Sequence, residues 1–144
     1  MALSSNSVVL PQVPRVGLTH FTEGVDVAGT LKTIFTPGAN GSKVGAILAT
    51  SEDGTADHLV NMYLTRSAED FLLNAKNVPM ASGAGGSVPS VDMFGDTSLV
   101  QGLPLDADGQ PYLFLEPDDL LKAKFTTALT AGKRLTLMVI GADF

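Results

Sequence analysis

Alternating apolar and polar positions predict β-strands along most of the chain. The clearest case is the stretch 134–140 (RLTLMVI), where two leucines and a valine alternate with Thr136, Met138 and Ile140. Successive side chains of a strand point to opposite faces, so the leucines and the valine suit a core. The other three residues are too apolar for open water. We therefore predict that this strand is covered on both faces, by a second sheet and by a partner or an arm.

Similar strand-length runs recur at regular intervals, and Gly, Pro, Asn and Asp residues fill the breaks between them. Three stretches permit a helix instead: 119–129 as an amphipathic helix, one turn at the start of 68–77 before a strand, and a single turn capped by Asp96 and Thr97 and ended by Gly102. The pattern as a whole predicts an all-β fold, an antiparallel β-sandwich or a jelly-roll-like domain with at most one short helix. The other predicted strands are 30–36, 43–50, 58–65, 71–77, 91–94, 111–115 and 121–128.

The first 28 residues differ from the rest and predict an extended N-terminal arm, with the β-sandwich domain over residues 29–144. Pro11 and Pro14 favour an extended path, because each fixes φ and pushes the residue before it toward β or polyproline geometry. Disordered tails are usually polar, whereas this segment carries spaced apolar residues. We predict that these residues form an interface with other subunits or a partner, and that the globule folds without residues 1–24. The interface residues are Val8, Val9, Leu10, Val13, Val16, Leu18 and Phe21.

Composition and charge narrow the classes of function. The 144 residues fit one domain, and the absence of cysteine excludes disulfides and thiolate chemistry. The formal net charge is −6, and the nine Lys and Arg residues are scattered apart from Lys133 and Arg134. We therefore expect no nucleic-acid partner and no membrane partner. The N-terminus has neither the basic region nor the apolar region of a secretion signal, and no run approaches the ~18 apolar residues of a membrane span.

Candidate chemistry is sparse, and we predict no catalytic residue, no metal and no cofactor. Asp106 and Asp108 are spaced as in calcium loops, but no third donor or distant Glu follows, so a plain Asp-Gly turn is favoured. The glycines at 83–86 resemble a phosphate loop without its lysine. His20 and His58 are the two histidines, and neither has an evident metal-ligating neighbour in the sequence. No nucleophile-elbow pattern frames a serine, so an enzyme is not expected.

Five turn-and-strand motifs stand out: KVGAILAT at 43–50, GLPLDADG at 102–109, PYL at 111–113, LKA at 121–123 and TAGKRLT at 130–136. With these motifs the chain resembles, over about residues 30–144, small proteins that tailed bacteriophages encode near their major capsid protein. The resemblance implies a head decoration, or cement, protein: a β-rich domain that binds the outside of an icosahedral shell in many copies, often as a dimer or trimer. It implies no catalytic residues.

The expected function is therefore a structural virion protein that stabilises a phage capsid from its outer surface, after synthesis in the bacterial host cytoplasm. Its expected partners are the major capsid protein and further copies of itself, as a homo-dimer or homo-trimer. Many weak contacts of this kind add up across a lattice. An alternative is a module of a phage tail or fibre that binds a host-surface glycan, for which a surface cluster of aromatic residues would be diagnostic. With Tyr63 and Tyr112 as the two tyrosines and no Trp, the sequence favours the first interpretation. A small hydrolase or metal enzyme is the third candidate.

Overall fold

The structure, a computed structural model, describes residues 13–94 and 103–144 as two antiparallel β-sheets packed face to face. Its described residues form strands and turns and contain no helix. The strands are β1 (Val13–Thr22), β2 (Lys32–Phe35), β3 (Ser42–Ser51), β4 (His58–Arg66), β5 (Glu69–Val78), β6 (Val91–Asp92), β7 (Leu113–Leu115), β8 (Leu120–Phe125) and β9 (Arg134–Asp143).

Sheet I has the order β1-β9-β3, and the far edge of β3 pairs with β7 near one end and with β6 near the other. Sheet II has the order β2-β8-β4-β5. β9 is therefore the central strand of sheet I, with β1 paired along one edge and β3 along the other. The two ends of the described chain meet in this sheet, since Val13 lies opposite Asp143.

The core lies between the sheets and is built from the inward-facing residues of both. Leu135, Leu137 and Val139 of β9 are fully buried, as predicted. Sheet II contributes Val60 and Met62 from β4, along with residues of β8 such as Phe125. Phe125 packs edge-on against Phe21 of β1, with ring centroids 5.3 Å apart. Such edge-to-face pairs join the two sheets at one end of the sandwich.

The all-β fold class is confirmed, and most of the predicted strands lie where the pattern placed them. Residues 119–129 do not form a helix, because 120–125 make β8 with alternating buried side chains. β5 begins at Glu69, two positions before the predicted start at residue 71. The predicted helical turn before Gly102 lies outside the described residues. Gly45 lies at a register shift between Val44 and Ala46, where β3 pairs with β9.

The N-terminal segment differs from the prediction of an arm separate from the sandwich domain. All ten residues of β1 pair with β9, and Phe21 is fully buried in the core. At Gly17 an added Cβ would lie 3.0 Å from the backbone oxygen of Ile34, so β1 also packs closely on β2. The described part of the predicted arm therefore belongs to the sandwich. The prediction failed here because prolines and spaced apolar residues are equally compatible with a strand at the edge of a sheet.

Candidate interaction surface

The outer face of sheet I, which points away from the core, is apolar over its central part. The pairing register aligns Val16, Ile140 and Ala46 in one row across β1, β9 and β3. The next row is Leu18, Met138 and Leu48. We call these six residues the apolar face.

Several side chains of the apolar face are open to solvent in the described structure. Val16 is 60% exposed, Leu18 is 67% exposed and Ile140 is 39% exposed, while the other three are partly buried. Single exposed apolar residues are ordinary on a protein surface, but a contiguous group on one sheet face is a candidate site of association. Sheet II covers one face of β9, as predicted, but no described residue fully covers the other face, and β1 lies beside β9 instead of over it. Cover of this face by a partner stays a prediction.

The surroundings of the apolar face differ at its two ends. Beyond the Leu18 row the face becomes polar, with His20 donating to or accepting from Thr136 over 2.8 Å and Arg134 bonded to Glu52 at 2.9 Å. Beyond the Val16 row lies a row that contains Lys43 and Phe114, which face each other across β3 and β7. The apolar face therefore has a polar end, next to Thr136, and an aromatic end, next to Phe114.

Three aromatic rings form a cluster at that second end. Phe114 stands between Tyr112, at a centroid distance of 5.1 Å, and Phe144, at 5.4 Å. The ammonium group of Lys43 lies 4.5 Å from the centroid of Tyr112. Phe114 remains 51% exposed. The sequence did not reveal this cluster, because Phe114 and Phe144 meet only through the pairing of β3 with both β7 and β9.

The outer face of sheet II has a different chemistry. Lys122 lies opposite Tyr63 across β8 and β4, and Lys124 lies 5.2 Å from the Tyr63 ring centroid. Hydrogen bonds from Lys124 and Asn61 hold the pKa of Tyr63 below its usual range. Leu72 and Leu59 are exposed apolar residues on this face, at 57% and 40%. Sheet II therefore presents a mixed surface in which apolar residues and lysines are interspersed, whereas the apolar face of sheet I contains no charged residue.

A buried polar cluster around Asp53 closes the end of the sandwich at which the β3–β4 and β8–β9 loops meet. Asp53 and His58 are both fully buried, and the His58 Nε2 atom lies 3.0 Å from a carboxylate oxygen of Asp53. The His58 Nδ1 atom lies 3.0 Å from the backbone oxygen of Thr127. Each ring nitrogen of His58 therefore faces an oxygen that accepts hydrogen bonds, and the imidazole links the carboxylate of Asp53 to the backbone of Thr127.

The carboxylate of Asp53 is also bonded to Thr55 and Thr130 through their backbone N–H groups and their hydroxyls. Burial raises the pKa of Asp53, but these hydrogen bonds outweigh it and hold that pKa well below its usual range. The pair resembles a catalytic dyad only in its residue types. The histidine has no solvent exposure, and the two hydroxyls are bonded to Asp53 and not to the imidazole. The geometry fits a clamp between loops.

The other predicted candidates have structural roles or lack a site. Asp106 forms a turn in which it accepts from the backbone N–H groups of Asp108 and Gln110, and Gly109 has a φ of 78°. The described residues contain no group of three or more His, Asp or Glu side chains suited to a metal ion. They also contain no helix long and apolar enough to cross a membrane.

The structure places the predicted interface residues in different environments. Val16 and Leu18 lie on the apolar face, and Val13 is exposed at the start of β1. Phe21 is a core residue and is not available for an interface. Val8, Val9 and Leu10 lie outside the described residues. Met138 and Ile140 were identified as unusually apolar for an outward face, but the sequence did not show that β1 and β3 extend the same surface.

Comparisons with known proteins give little further information. No protein-family model matches the chain, and no curated protein matches its sequence. Among solved structures, the chain is similar to one in the "Structure of infectious bursal disease virus Gt strain", with 14% identical residues and a TM-score of 0.34. The similarity covers 91% of this chain but 32% of that one, so this chain spans about a third of its length.

Proposed function

We propose that this protein is a structural component of a phage virion that binds the outer surface of the capsid in many copies and stabilises the shell. It acts by association and carries out no catalysis. Its partners are the major capsid protein and neighbouring copies of itself. The proposal also rests on the resemblance of residues 30–144 to phage head decoration proteins.

The observation that carries the proposal is the apolar face of sheet I. Its two exposed residues on β1, Val16 and Leu18, flank the exposed Ile140 of β9 in a cysteine-free domain of net charge −6. A surface of this kind gains stability only when another surface covers it. On an icosahedral shell each copy needs only a weak contact, because a lattice of neighbouring copies multiplies the effect.

The test uses capsids assembled from the major capsid protein of the same virus, with and without the purified chain. Capsids that carry the chain should remain intact at higher temperature than bare capsids, and the chain should sediment with them. Leu18→Lys places a charge on the apolar face and should weaken this binding by about tenfold or more, since a desolvated unpaired charge costs well above 1.4 kcal/mol.

Leu72→Lys is the matched control, because Leu72 is similarly exposed but lies on the outer face of sheet II. It should bind like the unmodified chain. Equal heat resistance of bare and decorated capsids would contradict the stabilising role. Equal loss of binding in both variants would show that the apolar face is not the surface that binds the capsid.

The aromatic cluster favours a second candidate function, a tail or fibre module that binds a host-surface glycan. Aromatic rings such as the exposed Phe114 and the half-buried Tyr112 stack on the apolar faces of sugars, and Lys43 beside them would suit an acidic sugar. In that case Phe114→Ala should abolish binding to immobilised host glycans, whereas Leu18→Lys should not. Absence of glycan binding by the unmodified chain would exclude this candidate.

A further inference from the structure

We infer that the apolar face of each copy receives residues 8–10 of a second copy. The inference deepens the proposed function, because it names what covers the face between neighbouring copies on the shell. It concerns self-association, which can be measured without any capsid.

The first argument is chemical. Residues 8–10 are Val, Val and Leu, three consecutive aliphatic residues that follow the polar run SSNS at 4–7. The apolar face consists of aliphatic side chains, Ala and Met, with no charged group among its six residues. The two surfaces match in character and in small size.

The second argument is the place where the segment joins the fold. Residues 1–12 lead into β1 at Val13, which lies opposite Asp143 at the aromatic end of the face. Val8 lies five residues before Val13, so the aliphatic run can extend at most about 17 Å beyond the end of β1 while it remains tethered. A neighbour placed next to this end is within its range.

The third argument separates a second copy from the chain's own face. β1 runs away from the end at which Val13 lies, so residues 8–10 would have to reverse direction within 11–12 to return over the same sheet. A reversal that short would place them beside β1 in the plane of the sheet, as in a hairpin, and not above the apolar face. Pro11 further favours an extended path before β1, because it fixes φ and pushes the residue before it toward β or polyproline geometry.

The distribution of charge favours the apolar face as the place where two copies meet. Each chain carries a net charge of −6, so two copies repel each other on average. The apolar face is free of carboxylates, and the nearest acidic side chain toward its polar end, Glu52, is paired with Arg134 at 2.9 Å. Identical copies can therefore meet there without bringing carboxylates together.

The absence of cysteine makes a cross-linking test clean. Two single-cysteine chains, Val9→Cys and Ile140→Cys, are mixed at high concentration without capsids and oxidised mildly. We expect a mixed disulfide between the two chains. Leu72→Cys replaces Ile140→Cys as the matched control and should give far less mixed product, because Leu72 lies on sheet II. Unchanged melting temperatures show that each variant is folded.

A second experiment tests whether the contact forms within one chain. It uses the double variant Val9→Cys and Ile140→Cys at low concentration. A disulfide that forms within one chain, at a rate independent of concentration, would overturn the inference. So would mixed product equal to the Leu72→Cys control, or disulfides between Ile140→Cys chains alone, which would indicate contact between two apolar faces. If the mixed disulfide forms but the chain does not bind capsids, the proposed function fails and this inference stands.

Discussion

Asp53 holds two loops together from a fully buried position. It accepts hydrogen bonds from Thr55 and Thr130 and faces the imidazole of His58. Asp53→Asn removes the negative charge but retains the shape, so the N–H and O–H donors of Thr55 and Thr130 lose a charged acceptor. Losing a hydrogen bond to a charged group typically costs about 1.5–3 kcal/mol. We expect a loss of that size in the free energy of unfolding, measured by urea denaturation at neutral pH.

Asp108→Asn is the control for this prediction, because Asp108 is exposed in the 106–109 turn. A surface change of this kind should alter stability by less than about 0.5 kcal/mol. If Asp53→Asn were as mild as Asp108→Asn, the charged hydrogen bonds of Asp53 would not contribute to the stability of this end of the sandwich.

Asp119 makes the stability of the protein depend on acid pH. Its carboxylate is almost fully buried and accepts two hydrogen bonds from Arg66, at 2.7 and 2.6 Å. These bonds, against the opposing effect of burial, hold the pKa of Asp119 below its usual range. The unfolded chain therefore binds a proton to this group at a higher pH than the folded chain does. The contribution to stability is complete above the unfolded pKa of about 4 and is lost as pH falls through the lower, folded pKa.

Urea denaturation between about pH 5 and pH 2 should show stability falling with pH, and Asp119→Asn should flatten part of that slope. Asp118→Asn changes the neighbouring, exposed carboxylate and should leave the slope nearly intact. Equal slopes for the wild type and Asp119→Asn would show that other carboxylates account for the acid sensitivity.

The hairpin between β4 and β5 turns through residues that do not favour its geometry. Ser67 and Ala68 have φ values of 52° and 64°, and side chains other than Gly and Asn are disfavoured there. The double change Ser67→Asn and Ala68→Gly supplies the Asn-Gly pair that such two-residue turns prefer. We expect it to stabilise the protein by about 0.5–1 kcal/mol, measured by thermal unfolding. Asn-Gly placed instead at Gly85 and Gly86, in an exposed loop, should not stabilise it, and a loss at 67–68 would contradict the turn assignment.

The strand β1 makes the effect of N-terminal deletions sharply dependent on their end point. Removal of residues 1–12 leaves all of β1 and should change the melting temperature little. Removal of residues 1–24 also deletes β1 and the buried Phe21, whose loss alone is typically worth about 3–5 kcal/mol. We now expect this longer deletion to unfold the domain or to make it aggregate through the exposed edge of β9. A stable, monomeric product of the longer deletion would show that the domain folds without residues 1–24, as the sequence predicts.

These elements show how far the sequence determines the fold. Strand periodicity located β9, β4 and β3 because their inward residues alternate with partly polar ones. The pairing of distant strands could not be predicted, because nothing local to β1 indicates that it lies against β9, more than a hundred residues later in the chain. The apolar face was missed for the same reason, since its rows combine three strands. The clamp at Asp53 was missed because Asp next to Gly54 is typical of an exposed turn.

The whole molecule brings the two ends of its described chain together, and this permits a test that separates folding from association. Val13 lies opposite Asp143, and residues 83–87 form an exposed loop. A circular permutant can join residue 144 to residue 13 through a short Gly-Ser linker and open between Gly85 and Gly86. Chain ends at exposed loops are generally tolerated.

This permutant should fold with both sheets intact, at a cost of about 1–2 kcal/mol for the new loop closure and the opened loop. It keeps the apolar face but lacks residues 1–12, so light scattering should find it monomeric at concentrations at which the full chain associates. Adding residues 1–12 back at the new N-terminus, about half a domain away from their natural position, should restore less association than the natural connection does. A permutant that associates as strongly as the full chain would show that the face alone drives contact, and that the N-terminal segment is dispensable.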